Sequence, residues 1–120
     1  MRHFLRSLGF AMEGIAYAFR SQSNMRIHCC IALVVVAAGL ILGLSNFEWA
    51  LILLTTGFVI SAEMINSVAE LAVDLLTQRQ HPMAKTAKDV GAGAVLVAAL
   101  AAVAVGACVF GPRIWALVSG

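Results

Sequence analysis

Charge is scarce in this chain of 120 residues: Asp, Glu, Lys and Arg make up 12% of it, while 62% is hydrophobic. Soluble domains carry about 25% charged residues and about 45–50% apolar ones with glycine included. A compact core in so short a chain buries only about two thirds of its unfolded surface, so this much apolar side chain requires lipid. The length also excludes a separate large catalytic domain, and leaves room for about three spans of about 20 residues each. A formal charge of +2 is too small to point to nucleic acid, and no nucleic-acid partner is expected.

Cysteine is equally sparse. Cys29, Cys30 and Cys108 all lie in apolar runs, and an odd number of scattered thiols there reads as small hydrophobes, not as a disulfide framework. No GxxxxGK[ST] phosphate loop occurs, nor any GxSxG, HExxH or CxxC pattern, which excludes the P-loop and the common hydrolase and zinc-site signatures. The first apolar run begins after Arg26, has no small-residue cleavage site and is followed by further long apolar runs. It is therefore expected as a span, not as a cleaved leader.

The pattern that is present is all-helical. In residues 2–20, Arg2, Arg6, Glu13 and Arg20 fall within about 40° of one another at 100° per residue, with Phe4, Leu8, Ala11, Ile15 and Ala18 on the opposite side. This predicts an amphipathic helix in the membrane interface. Residues 27–44 predict a first span and 47–76 a long second helix, with Ser45 and Asn46 turning the chain between them. Residues 78–89 read as a polar, basic loop with Pro82 as its breaker. Residues 90–111, rich in Ala and Gly, predict a third span with Pro112 near its end. The expectation is a single membrane domain over 1–120.

Seven of the eight basic residues then sort to one side: Arg2, Arg6, Arg20, Arg26, Arg79, Lys85 and Lys88. The positive-inside rule puts the N-terminal helix and the 78–89 loop in the cytoplasm, and the C-terminus with Arg113 outside. Trp49 and Trp115 both fall at the outer interface, where amphipathic rings are favoured. A multi-pass protein of the cell membrane, the inner one where there are two, is the expected setting. Small residues of the third span, Gly91, Ala94, Ala98 and Ala101, permit close helix approach within or between subunits.

Chemistry is concentrated in one stripe. Glu63, Asn66, Glu70 and Asp74 span only about 80° of azimuth on the second helix. Counted from Trp49, Glu63 lies about 21 Å and Glu70 about 31 Å along the axis, so Glu63 is inside the bilayer or at its cytoplasmic boundary. An ionised carboxylate facing lipid costs on the order of 2.5–3.5 kcal/mol, so such acids face protein and mark function. Lys85, Lys88 and Asp89 return to the membrane at the level of Glu70. Two acids, an amide and lysines fit Mg²⁺ with a nucleotide polyphosphate, since Mg²⁺ takes one or two carboxylates plus phosphate oxygens and water. Such a site could set a lipid hydroxyl against ATP, with an acid accepting its proton. The competing class is a small noncatalytic membrane protein or an ion-conducting oligomer. Against conduction, from Trp49 to Ala62 the polar side chains are only Thr55, Thr56 and Ser61.

The stretches AEMINSVAELAVD and QHPMAKTAKDVGAGAV, with NMRIH before the first span and EW before the second, resemble the prokaryotic diacylglycerol kinase family, and look closest to its undecaprenol kinase branch. The resemblance covers about residues 4–110. It implies a homotrimer of three-span subunits with active sites shared between neighbours, using Mg²⁺ and ATP to phosphorylate undecaprenol or, alternatively, diacylglycerol. By position, Glu63 matches the base for the lipid hydroxyl and Glu70 a metal and nucleotide ligand. Asn66, Lys88 and Asp89 match the nucleotide framework, Lys85 a phosphate contact, and Asp74 and His81 further motif positions. Where the family usually has a second metal-binding glutamate, this chain has Gln22, whose carbonyl can coordinate but brings no charge. His28 is open between a nucleotide or head-group contact and a simple interfacial histidine.

Overall fold

The computed structural model describes all residues 1–120 as four helices: α1 (Arg2–Ser21), α2 (Ser23–Leu42), α3 (Asn46–Leu76) and α4 (Pro82–Ser119). α2, α3 and α4 are each long and apolar enough to cross a membrane. Only 12 of 120 residues are buried, and the surface is 8858 Å². A compact soluble chain of this mass exposes about 6,200 Å². The excess is mostly large apolar side chains, such as Leu33, Leu54 and Val103, which within a bilayer need no further cover.

Each helix boundary has a local cause. α1 and α2 are separated by Gln22 alone, in extended conformation (φ −113°, ψ 113°). Arg26 in the first turn of α2 reaches back across this break, its Nη1 donating to the carbonyls of Phe19 (3.1 Å) and Arg20 (2.8 Å). It thereby satisfies acceptors that the end of α1 leaves without intrahelical partners. The polar segment at 21–26 is thus a one-residue hinge, and α2 starts before the apolar run does.

α2 ends where Gly43 adopts the left-handed conformation (φ 68°, ψ 60°) that glycine enters without steric penalty. Ser45 then caps α3 in a reciprocal box: its Oγ accepts from Glu48 N (3.2 Å) and Glu48 Oε1 accepts from Ser45 N (3.1 Å). Leu44, just before the cap, is buried with Ile52 and Val109, and Trp49 packs against this cluster. Gly39 of α2 has no room for a side chain there, since a Cβ would lie 2.8 Å from the Trp49 ring and 2.9 Å from Leu44.

α3 and α4 form the main antiparallel pair. The connection is shorter than the polar composition of 78–89 suggests, being only Thr77–His81. Pro82 does not break structure but opens α4 at its first helical position, where its missing N–H costs nothing. His81 is the N-cap, its Nδ1 accepting from Met83 N at 3.1 Å. Lys85, Lys88 and Asp89 therefore stand on the first two turns of a helix, not in a loop. α4 also continues through Pro112 to Ser119, beyond the apolar run 90–111.

At the opposite end of the molecule Arg113 joins three helices. Its Nη1 donates to the carbonyl of Leu42 (3.1 Å), its Nε to Glu48 Oε2 (3.1 Å), and its Nη2 pairs with Glu48 Oε1. The one acid and one base placed away from the main charge cluster thus neutralise each other, and Arg113 also satisfies the end of α2.

Candidate functional site

At the far end of α3 from Glu48, the polar stripe turns inward on α2 and α4. Glu63 is 1% exposed, Asn66 7% and Ser67 4%. The Ser67 hydroxyl donates to the Glu63 carbonyl (3.0 Å), but both Glu63 carboxylate oxygens and Asn66 Oδ1 lack any hydrogen-bond partner. Buried polar atoms are almost always paired, so three orphaned acceptors on adjacent turns mark a site that expects something else to bind. Close approach of α4 helps bury them: a Cβ at Gly91 would collide with Asn66 Oδ1.

One turn further along, Gln22 Nε2 donates to Glu70 Oε2 at 3.4 Å. The hinge between α1 and α2 is what brings Gln22 there. The sequence-predicted ligands Gln22 and Glu70 are therefore together, on the α1–α2 side of α3. No three His, Cys, Asp or Glu side chains converge into a closed metal cage. An amide and a carboxylate do fit Mg²⁺ that arrives with phosphate oxygens and water, and the orphaned acceptors nearby suit a cation, a water or another hydrogen-bond donor.

The remaining residues gather at the α3–α4 turn. Lys88 Nζ meets Asp74 Oδ1 at 2.7 Å, and Lys85 Nζ meets Asp89 Oδ2 at 2.6 Å one turn apart on α4. Asp74, Arg79, His81, Lys85, Lys88 and Asp89 all line an open cleft of about 970 Å³ around the turn. Lys85 and Asp89 are exposed and occupy each other; His81 spends its Nδ1 on the N-cap. The expected residues thus form two groups on one end of the molecule, a row running from buried Glu63 and Asn66 to the half-buried Glu70–Gln22 pair, and an open charged cleft. Within one chain Lys85 and Asp89 do not reach that row.

His28 on α2 was open from the sequence, and the fold gives it a partner. Its Nε2 lies 3.8 Å from Glu63 Oε2, with the side chain only 20% exposed. His28 also lines an apolar cavity of about 260 Å³ that runs between α2, α3 and α4 past Val59 and Thr56 to Phe110. The signal available in the sequence was its spacing from Ala32 and Val35, the i, i+4, i+7 rhythm of one helix face. Nothing local says which neighbour that face meets.

Residues 9–110 match the family described as Prokaryotic diacylglycerol kinase. The chain is 37% identical over 114 residues to the protein named Undecaprenol kinase from Bacillus subtilis, covering 95% of this chain and 93% of that one. It is 41% identical over 116 residues to a Diacylglycerol kinase from Synechocystis, covering 96% of this chain but 66% of that one. With a Diacylglycerol kinase from Pseudomonas aeruginosa the identity is 30% over 98 residues, or 82% and 80% of the two chains. Both the orphaned acceptors of α3 and the charged turn lie inside the matched residues, whereas Arg113 lies beyond them. The chain belongs to the prokaryotic diacylglycerol kinase family.

Proposed function

We propose that this chain is an integral-membrane kinase that transfers the γ-phosphoryl group of ATP to the hydroxyl of undecaprenol. The observation that carries the reading is Glu63: a fully buried carboxylate with no donor on either oxygen, one helical turn from an orphaned amide oxygen and two from the Gln22–Glu70 pair. Such a group is suited to take the proton of an alcohol held in the bilayer. Asn66 offers its free amide oxygen, and Lys88 and Lys85 supply positive charge for phosphates entering from the cleft. Asp74 and Asp89 hold those two lysines in place. His81 fixes the start of α4 and thereby the lysines that follow.

Mg²⁺, held by Glu70 and Gln22 together with ATP, would neutralise charge on the transferred phosphoryl group. Lys85 and Asp89 pair with each other and make no contact with Glu63, Asn66 or Glu70, which supports the homotrimer implied by the resemblance, in which neighbouring subunits complete each site. The bias of basic residues supports a cytoplasmic N-terminus and α3–α4 turn, with α1 lying in the interface and the C-terminus outside.

The preference for undecaprenol rests on the 37% match to the Bacillus subtilis protein, which spans nearly all of both chains. The 41% match to the Synechocystis protein supports diacylglycerol as a second reading. Purified protein incubated with labelled ATP, Mg²⁺ and each lipid in mixed micelles decides between them. Faster transfer to undecaprenol is expected; faster transfer to diacylglycerol establishes the second reading, and transfer to neither overturns both.

A further inference from the structure

Glu63 raises a problem that its own helix does not solve. A base that has taken a proton in a sealed site must lose it before the next turnover, yet Glu63 is 1% exposed and its carboxylate receives no hydrogen bond from the chain. Of all the basic groups, His28 alone stands within ion-pair reach of it. His28 is on a different helix, α2, six residues past the Gln22 hinge, and it is the partly exposed member of the pair. It also lines the apolar cavity between α2, α3 and α4, the remainder of whose lining is aliphatic or aromatic apart from Thr55, Thr56 and Gly106. A histidine that served only packing would not be set against the one buried carboxylate. A histidine that served only head groups would turn to the surface.

We propose that His28 is a positioning residue for Glu63: it faces the carboxylate from α2 and takes over the proton that Glu63 removes from the lipid alcohol. The inference rests on Glu63 being the base. In the transfer step the lipid O–H bond breaks as the new O–P bond forms, and the bond between the γ-phosphorus and the β-γ bridging oxygen breaks to release ADP. The proton goes to a Glu63 oxygen, then to His28 Nε2 while Nδ1 keeps its own proton, and finally from the imidazolium to water at the exposed edge of the ring. The resting separation of 3.8 Å is longer than a hydrogen bond. Closing it takes a shift of about 1 Å, within the tightening that catalytic contacts undergo when substrate binds.

The test is steady-state kinetics on the full chain in mixed micelles, with undecaprenol and diacylglycerol as acceptors. His28→Ala is expected to lower kcat by about 10- to 100-fold, with KM for ATP and lipid changing by less than about twofold. Imidazole added to the medium is expected to restore part of that loss in His28→Ala while leaving Glu63→Gln inactive. A kcat within about twofold of the parent, or a loss that imidazole leaves unchanged, overturns the inference. If His28→Ala does not fold, His28→Gln carries the test: it keeps the volume and a donor but accepts no proton. Its kcat is expected about tenfold down at unchanged KM, and a parental kcat overturns the inference. The base assignment fails separately: an active Glu63→Gln removes it, whereas an inactive Glu63→Gln beside a normal His28→Ala removes only His28.

Discussion

Gln22 and Glu70 stand 48 positions apart in the chain, yet the Gln22 side-chain amide donates to the Glu70 carboxylate at 3.4 Å. The contact exists because a single extended residue separates α1 from α2, which aims position 22 at the second turn from the end of α3. It puts a neutral amide where the family resemblance implies a second acid.

If Glu70 and position 22 hold Mg²⁺ as proposed, Gln22→Glu should strengthen its binding. Two carboxylates at this separation repel each other in the absence of a cation and share it when it is present. The half-saturating Mg²⁺ concentration is expected to fall by about tenfold, equivalent to about 1.4 kcal/mol of binding. Titration of activity against Mg²⁺ at fixed ATP checks this. A sharp loss of activity at every Mg²⁺ concentration would count against position 22 as a ligand.

Gly91→Ala should disturb the site from the opposite side. The new methyl group collides with Asn66 Oδ1, so either the amide rotates away or α4 moves off α3. Overpacking of this kind costs about 1–3 kcal/mol. A lower thermal midpoint in detergent together with a raised KM for ATP is the expected outcome. Parental values of both would show that Asn66 is free to move and holds nothing in place.

Lys88 and Asp74 form an ion pair at the mouth of the charged cleft, and both side chains are more than a third exposed. Solvent-screened pairs contribute little to stability. If Lys88 serves phosphate as proposed, Lys88→Met should leave the thermal midpoint nearly unchanged while reducing kcat/KM for ATP by about 10-fold or more. Asp74→Asn should have the smaller kinetic effect. Equal losses in the two variants would instead assign the pair a positioning role alone.

Arg113 and Glu48 belong to the opposite end of the bundle, where Arg113 also holds the last turn of α2 through the Leu42 carbonyl. Arg113→Ala should lower the thermal midpoint in detergent with KM for ATP within about twofold of the parent. Glu48→Gln should do the same, since it weakens the pair while sparing the cap geometry. A selective change in ATP affinity would mean that the two ends of the molecule are coupled.

The helices were legible because their causes are local. Apolar runs, the Ser45–Glu48 box and the Glu63, Asn66, Glu70, Asp74 rhythm all act within a few residues. Boundaries were less legible where one residue has two uses. Pro82 reads as a breaker in a polar stretch, yet it opens α4, and the polarity of 82–89 reflects the exposure of a helix end, not the absence of a helix.

The sequence by itself determined a lipid-embedded all-helical chain with its acids on one face of one long helix, since composition and helical period need no partner to act. Only the tertiary structure decided what those acids meet: Gln22 opposite Glu70, His28 opposite Glu63, Lys88 opposite Asp74, and Arg113 opposite Glu48. The physical reason is that each pair joins a helix to a different helix or, for Gln22, to the hinge between two others. Its geometry depends on axial register and on close approach at glycines such as Gly39 and Gly91, quantities that no single helix encodes.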